Sequence, residues 1–116
     1  MKRIGLLFLV IVMGLGLTGC PKKDADPVGT WVMTSDWSCA GSSKNLGWHI
    51  YVKGQFNDSE GASGGWSVSH KDITLAYDNG TNYGGEVDGD RMSGTMTSVG
   101  TGTNGCWVAT RTSDNP

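Results

Sequence analysis

The chain has 116 residues, 37% of them hydrophobic and 17% charged, with nine Lys and Arg against eleven Asp and Glu. That length suits one folded domain rather than two. No basic stripe is visible, which argues against nucleic-acid binding, and the 19 glycines follow no Gly-X-Y period, which excludes a collagen-like chain.

Lys2 and Arg3 give a positive start. An uncharged, mostly apolar run, 4–17, follows, and Leu17-Thr18-Gly19-Cys20 ends it. A basic start, an apolar centre and small residues at a cut are the layout of a secretory signal. The apolar run is short for a membrane span, which needs about 20 residues. Leu17-Thr18-Gly19-Cys20 resembles the lipobox of bacterial lipoproteins. That resemblance implies cleavage before Cys20, diacylglycerol on its sulfur and usually a third acyl chain on its amine. Several chains on one residue anchor stably, whereas one binds only marginally. A plain signal peptide with an unrelated cysteine is the alternative.

Residues 1–19 are therefore expected to be a lipoprotein signal peptide and 20–27 a lipidated tether. Pro21 and Pro27 flank a stretch whose only apolar side chain is Ala25, so an extended tether is expected. Pro21, not Asp, follows the cysteine; by resemblance to enteric-type bacteria this implies sorting to the outer membrane. Removal of Lys2 and Arg3 would leave seven Lys and Arg against eleven Asp and Glu, a net charge of −4. Residues 28–112 are read as one domain and 113–116 as a tail.

No stretch of that domain has a helical apolar period. Alternation with period two recurs instead, bounded by Gly, Asn, Asp and Ser. Strands are expected at 28–37, 47–52, 55–58, 64–69, 72–78, 82–87, 91–97 and 105–112. Lys53-Gly54, Asn79-Gly80 and Asp88-Gly89 fall between strands, and the last two pairs favour tight hairpin turns. One face of the strands carries Trp31, Met33, Trp37, Trp48, Ile50, Val52 and Phe56. It continues with Trp66, Val68, Ile73, Leu75, Tyr77, Tyr83, Val87, Met92, Met96, Trp107 and Ala109. The other face is polar: His49, Gln55, Ser67, Thr74, Glu86, Ser93, Thr95 and Thr110. An apolar inside and a wet outside are the reverse of a membrane-spanning barrel. The expectation is an all-β fold, a small eight-stranded antiparallel up-and-down barrel, with a β-sandwich as the alternative. An even strand count lets the first and last strands pair and removes both edges.

Besides Cys20 the chain has Cys39 and Cys106. An exported chain meets an oxidising compartment, where a disulfide is the default; metal binding by the two thiols is the weaker reading. Cys39 follows the first strand and Cys106 opens the last, so both fall at the same end of a closing antiparallel pair.

Gly29-Thr30-Trp31 opens the first strand, and Trp107-Val108-Ala109-Thr110-Arg111 fills the last. A Gly-x-Trp with a distant Arg resembles the calycin superfamily of lipocalins, fatty-acid-binding proteins and avidins. The bacterial metalloprotease-inhibitor barrels are similar. The resemblance implies that Arg111 packs across Trp31 and closes one end of the barrel. The chain is shorter than a lipocalin and lacks that family's C-terminal helix.

Strand direction gathers Trp37, Trp48, Trp66, Tyr77, Tyr83 and Trp107 toward the other end. Most of the longer loops, 38–46, 59–63 and 98–104, lie there too. These six aromatics are the candidate ligand-binding residues, since barrel mouths rich in loops are places where ligands bind. The competing reading is that they fill a barrel only wide enough for side chains.

His49 and His70 read as solvated surface residues. No Gly-x-Ser-x-Gly or His-Glu-x-x-His occurs. Asp88-Gly89-Asp90 lacks the further ligands of a calcium loop, and nothing opposes Asp58 and Glu60 as an acid–base pair. No catalytic residue, metal or cofactor is expected. The chain reads as a non-enzymatic, lipid-anchored envelope lipoprotein, held to the membrane by its N-terminal lipid and facing the periplasm. Its aromatic end would bind a small molecule or an envelope protein. A protease-inhibitor-like barrel and a purely structural envelope component are the alternatives.

Overall fold

Side chains that alternate between apolar and polar bury one row and wet the other, and beyond Val28 the chain does this repeatedly. The computed structural model describes residues 23–41 and 43–116. The expected signal peptide, Cys20 and the first part of the expected tether lie outside the described residues. Eight strands follow in chain order: β1 (Gly29–Trp37), β2 (Ser43–Tyr51), β3 (Gln55–Asp58), β4 (Ser63–Ser69), β5 (Asp72–Tyr77), β6 (Thr81–Asp88), β7 (Arg91–Ser98) and β8 (Asn104–Ser113). Each pairs antiparallel with the next, and β8 returns to pair with β1, so the sheet closes into a barrel. Among the described residues the only helical piece is one 3-10 turn, Val52–Gly54.

The expected eight-stranded up-and-down barrel is therefore the fold. The main boundary difference is in β2, which starts at Ser43 rather than 47. Ser43 to Leu46 pair with Asp36 to Met33 of β1. They are mostly polar and exposed, so no apolar alternation marks them.

Trp31, Met33, Trp48, Ile50 and Leu75 are fully buried, and Phe56, Ile73, Met92 and Trp107 nearly so. Trp66 and Val68 are half-buried. Two residues expected inside are not. Trp37 is 39% exposed, because it ends β1 just before the chain turns through left-handed backbone at Ser38 and Cys39. Val52 is 63% exposed, because it starts the 3-10 turn and has left the pleat. Two polar residues, Ser35 and Asp58, hold inward positions.

Cys39 and Cys106 are bridged, with Cα atoms 5.3 Å apart across 67 residues. Closing a loop of that length stabilises by about 4 kcal/mol in the chain-entropy picture.

The end of the barrel where β1 begins is sealed by Arg111. Its guanidinium carbon lies 4.7 Å from the Trp31 ring centroid. Nη1 donates to the carbonyls of Asp26 (2.9 Å) and Val28 (2.8 Å), Nη2 to that of Gly89 (3.0 Å), and Nε to Asp90 Oδ1 (3.0 Å). The Trp31 indole N–H donates to the Pro27 carbonyl at 2.8 Å. Gly29 is needed here: its φ is +145°, and a Cβ would strike the Ser113 carbonyl oxygen and press on Arg111.

The described residues before β1 are fastened to this same end. The His70 N–H donates to Asp24 Oδ1 at 2.8 Å, the Ala25 N–H donates to the His70 carbonyl at 2.6 Å, and Pro27 is buried.

Candidate functional site

The opposite end of the barrel holds a cavity of about 170 Å³. Its floor is made by Ser35 of β1, Asp58 of β3, Tyr77 of β5 and Tyr83 of β6. The strand period places them: Ser35 is two residues past buried Met33, and Asp58 two past buried Phe56. Around the rim stand Trp37, Leu46 and the Lys44–Glu60 ion pair, 2.9 Å long and exposed on both sides.

Asp58 is the centre of a polar network. Its Oδ1 accepts the N–H groups of Glu60 and Ala62, both at 2.9 Å, which fixes the turn from β3 to β4. Its Oδ2 accepts the Tyr77 hydroxyl at 2.8 Å. The Tyr77 oxygen in turn accepts the Trp48 indole N–H at 2.8 Å. Burial pushes the Tyr77 phenol far above its ordinary range; the Trp48 N–H opposes that shift and the Asp58 carboxylate adds to it. Tyr77 is therefore a protonated donor to Asp58 at any neutral pH. Burial likewise raises Tyr83, with the nearby Ser35 hydroxyl opposing and Asp58 reinforcing.

The six sequence-predicted aromatics divide into three groups. Trp37, Tyr77 and Tyr83 border the cavity. Trp48 and Trp107 are buried beneath it. Trp66 borders no part of it; its indole N–H donates to the Tyr51 carbonyl at 2.8 Å, beside the 52–54 turn. Edge-to-face contacts knit the buried rings together: Trp48 to Tyr83 at 5.2 Å, Trp48 to Trp107 at 5.3 Å, and Phe56 to Tyr77 at 4.9 Å. Such pairs add about 0.5–1.5 kcal/mol each beyond burial. The Trp107 N–H is shared between the Gly84 and Thr95 carbonyls, at 3.3 and 3.0 Å. Most of the aromatic mass thus fills the barrel, and only its top layer faces a space.

That space is small. Pockets for drug-sized ligands run from about 300 to 1,000 Å³, and 170 Å³ holds about five waters. It has room for one end of a small molecule, not for a whole lipid or flat ring system. Ser35 leaves no apolar signal in the sequence, and Asp58 reads there only as half of an unsupported acid–base pair; what marks both is their inward parity beside Met33 and Phe56.

His49 is half-exposed, and His70 is exposed in the turn between β4 and β5. Among the described residues no three His, Cys, Asp or Glu side chains gather as a metal site. No protein-family model matches this chain, and no curated protein matches it.

Proposed function

We propose that this protein is a non-enzymatic, lipid-anchored lipoprotein of the bacterial envelope, with a calycin-like barrel that presents a binding mouth away from the membrane. One observation carries the reading: the chain joins the barrel at the end sealed by Arg111, and the cavity floored by Asp58 and Tyr83 lies at the other. Asp24 is already fastened to the barrel. Four residue steps separate it from Cys20, a reach of about 14 Å at full extension. A lipid on Cys20 would hold the sealed end close to the bilayer, and the mouth would meet a small ligand or another envelope protein. Pro21 after the cysteine favours the outer membrane, facing the periplasm.

A protease-inhibitor role needs a free N-terminal segment to enter a protease cleft. Asp24 to Val28 are tied down by His70, Arg111 and Trp31, which disfavours it. The experiment is metabolic labelling with a fatty-acid probe. Label is expected on the wild-type chain and lost in Cys20→Ser; undiminished labelling of that variant overturns the anchor.

A further inference from the structure

The floor of the mouth has an unusual electrical balance. Asp58 is 8% exposed, yet no cation pairs with it among the described residues. A carboxylate offers about four acceptor sites. Two N–H groups and the Tyr77 hydroxyl occupy three of them, so one acceptor site is left on a carboxylate that lines the cavity. Ser35 and Tyr83, each 6% exposed, also line it. Their hydroxyls have no hydrogen-bond partner among the described residues beyond each other. Buried polar groups of this kind ordinarily find partners.

The surroundings have the same sign. Asp36, Glu60 and Asp78 stand at this end. Of the described Lys and Arg, only Lys44 does, and Glu60 already neutralises it. The Asp36 carboxylate is spent on the Ala40 and Gly41 N–H groups, and Asp78 on Ser63, so Asp58 is the carboxylate turned to the cavity.

We infer that the mouth binds the ammonium group of a small primary amine, with Asp58 as counter-charge and the Ser35 and Tyr83 oxygens as further acceptors. The rest of the ligand lies over the rim against Trp37 and Leu46. An ammonium offers three donors, which matches three inward acceptors. Tyrosine and tryptophan faces add cation–π attraction. The volume admits such a head group and excludes large ligands. A calcium ion takes about six to eight oxygen ligands, usually with several carboxylates, and the floor offers one carboxylate and, besides the engaged Tyr77, two hydroxyls. An anion would meet repulsion from Asp58. The inference rests on the reading of this end as a binding mouth and names the chemistry it selects.

The test is an amide NMR titration of the full chain with n-butylammonium chloride. Sodium butanoate and calcium chloride at equal ionic strength serve as comparisons. Saturable shifts are expected at Glu60, Ala62, Thr81 and Tyr83 with the amine alone. Asp58→Asn keeps an oxygen for the turn N–H groups and should bind at least about tenfold more weakly, as loss of a charged hydrogen-bond partner implies. If that variant does not fold, Tyr83→Phe removes one acceptor at nearly constant volume and should also weaken binding. Non-saturating shifts overturn the inference, as do equal responses to butanoate or calcium, or unchanged affinity in the folded variants. Another small molecule moving the same amides while the amine does not would overturn the amine alone. No molecule moving them would overturn the binding mouth as well.

Discussion

Arg111 covers the ring of Trp31 from 4.7 Å while its three nitrogens reach two segments of chain, Asp26–Val28 before β1 and Gly89–Asp90 between β6 and β7. One side chain on the last strand thus joins the entering chain, the first strand and a distant hairpin. Trp31 and Arg111 are also register partners across the seam that closes the barrel. The seal is a planar fork stacked on an aromatic face, a task for which lysine is a poor substitute.

Arg111→Ala should therefore lower stability by about 2–3 kcal/mol, from lost charged hydrogen bonds and lost stacking. Arg111→Lys should recover little of it. Urea denaturation of the three proteins checks this. A lysine variant as stable as the wild type would mean that charge alone suffices at this position.

The bridge between Cys39 and Cys106 should leave neither thiol open to alkylation in unreduced, exported protein. Mass spectrometry reads this directly. Cys39→Ser with Cys106→Ser should cost about 4 kcal/mol. Quantitative alkylation of both thiols in folded protein would contradict the covalent closure of the β1–β8 seam.

Much of this barrel is legible in its sequence. Alternation places Trp31 and Met33, or Ile73 and Leu75, on the inner face without ambiguity, and Asn79-Gly80 and Asp88-Gly89 mark their hairpins. The Gly29–Trp31 and Arg111 positions signal the seal. What escapes is polar. Ser43 to Asn45 extend β2 by backbone pairing and polar side-chain contacts, which leave no hydrophobic trace. Asp58 closes an expected strand and reads there as an isolated acid, yet the period from Phe56 turns it inward, where Tyr77 and two N–H groups hold it. Trp37 and Val52 fail for the opposite reason: the period holds only while the chain stays in the sheet, and each sits where the chain leaves it. Trp66 lies on the inner row, but its indole reaches the Tyr51 carbonyl rather than the mouth.

The Asp58–Tyr77–Trp48 network should behave as a unit. Asp58→Ala strands the Tyr77 hydroxyl and the Glu60 and Ala62 N–H groups, at a cost of about 3 kcal/mol. Asp58→Asn should cost less, because an oxygen is kept. A double-mutant cycle of Asp58→Asn with Tyr77→Phe should show coupling above about 0.5 kcal/mol. Additive effects would mean that the contact between them is energetically idle.

Stability should fall in alkali. Tyr77 and Tyr83 hold their protons more tightly when folded than when unfolded. Above the ordinary phenol range, near pH 10, the unfolded chain binds fewer protons than the folded one. Their contribution is complete below that range and is lost as pH rises toward the folded values. Denaturation midpoints between about pH 8 and 11 should decline, and Tyr77→Phe should flatten the decline. A midpoint that rises through this interval would reverse the sign.

The end of the barrel floored by Asp58 and Tyr83 is proposed as a binding mouth. A screen of the full chain against envelope-relevant small molecules, amines, lipids and glycans, read by tryptophan fluorescence and thermal shift, tests it most directly. A ligand is expected that changes the emission of Trp37 and raises the melting temperature, with both responses reduced by Asp58→Asn and untouched by Arg91→Ala at the sealed end. No response across such a screen would contradict it and leave a filled barrel.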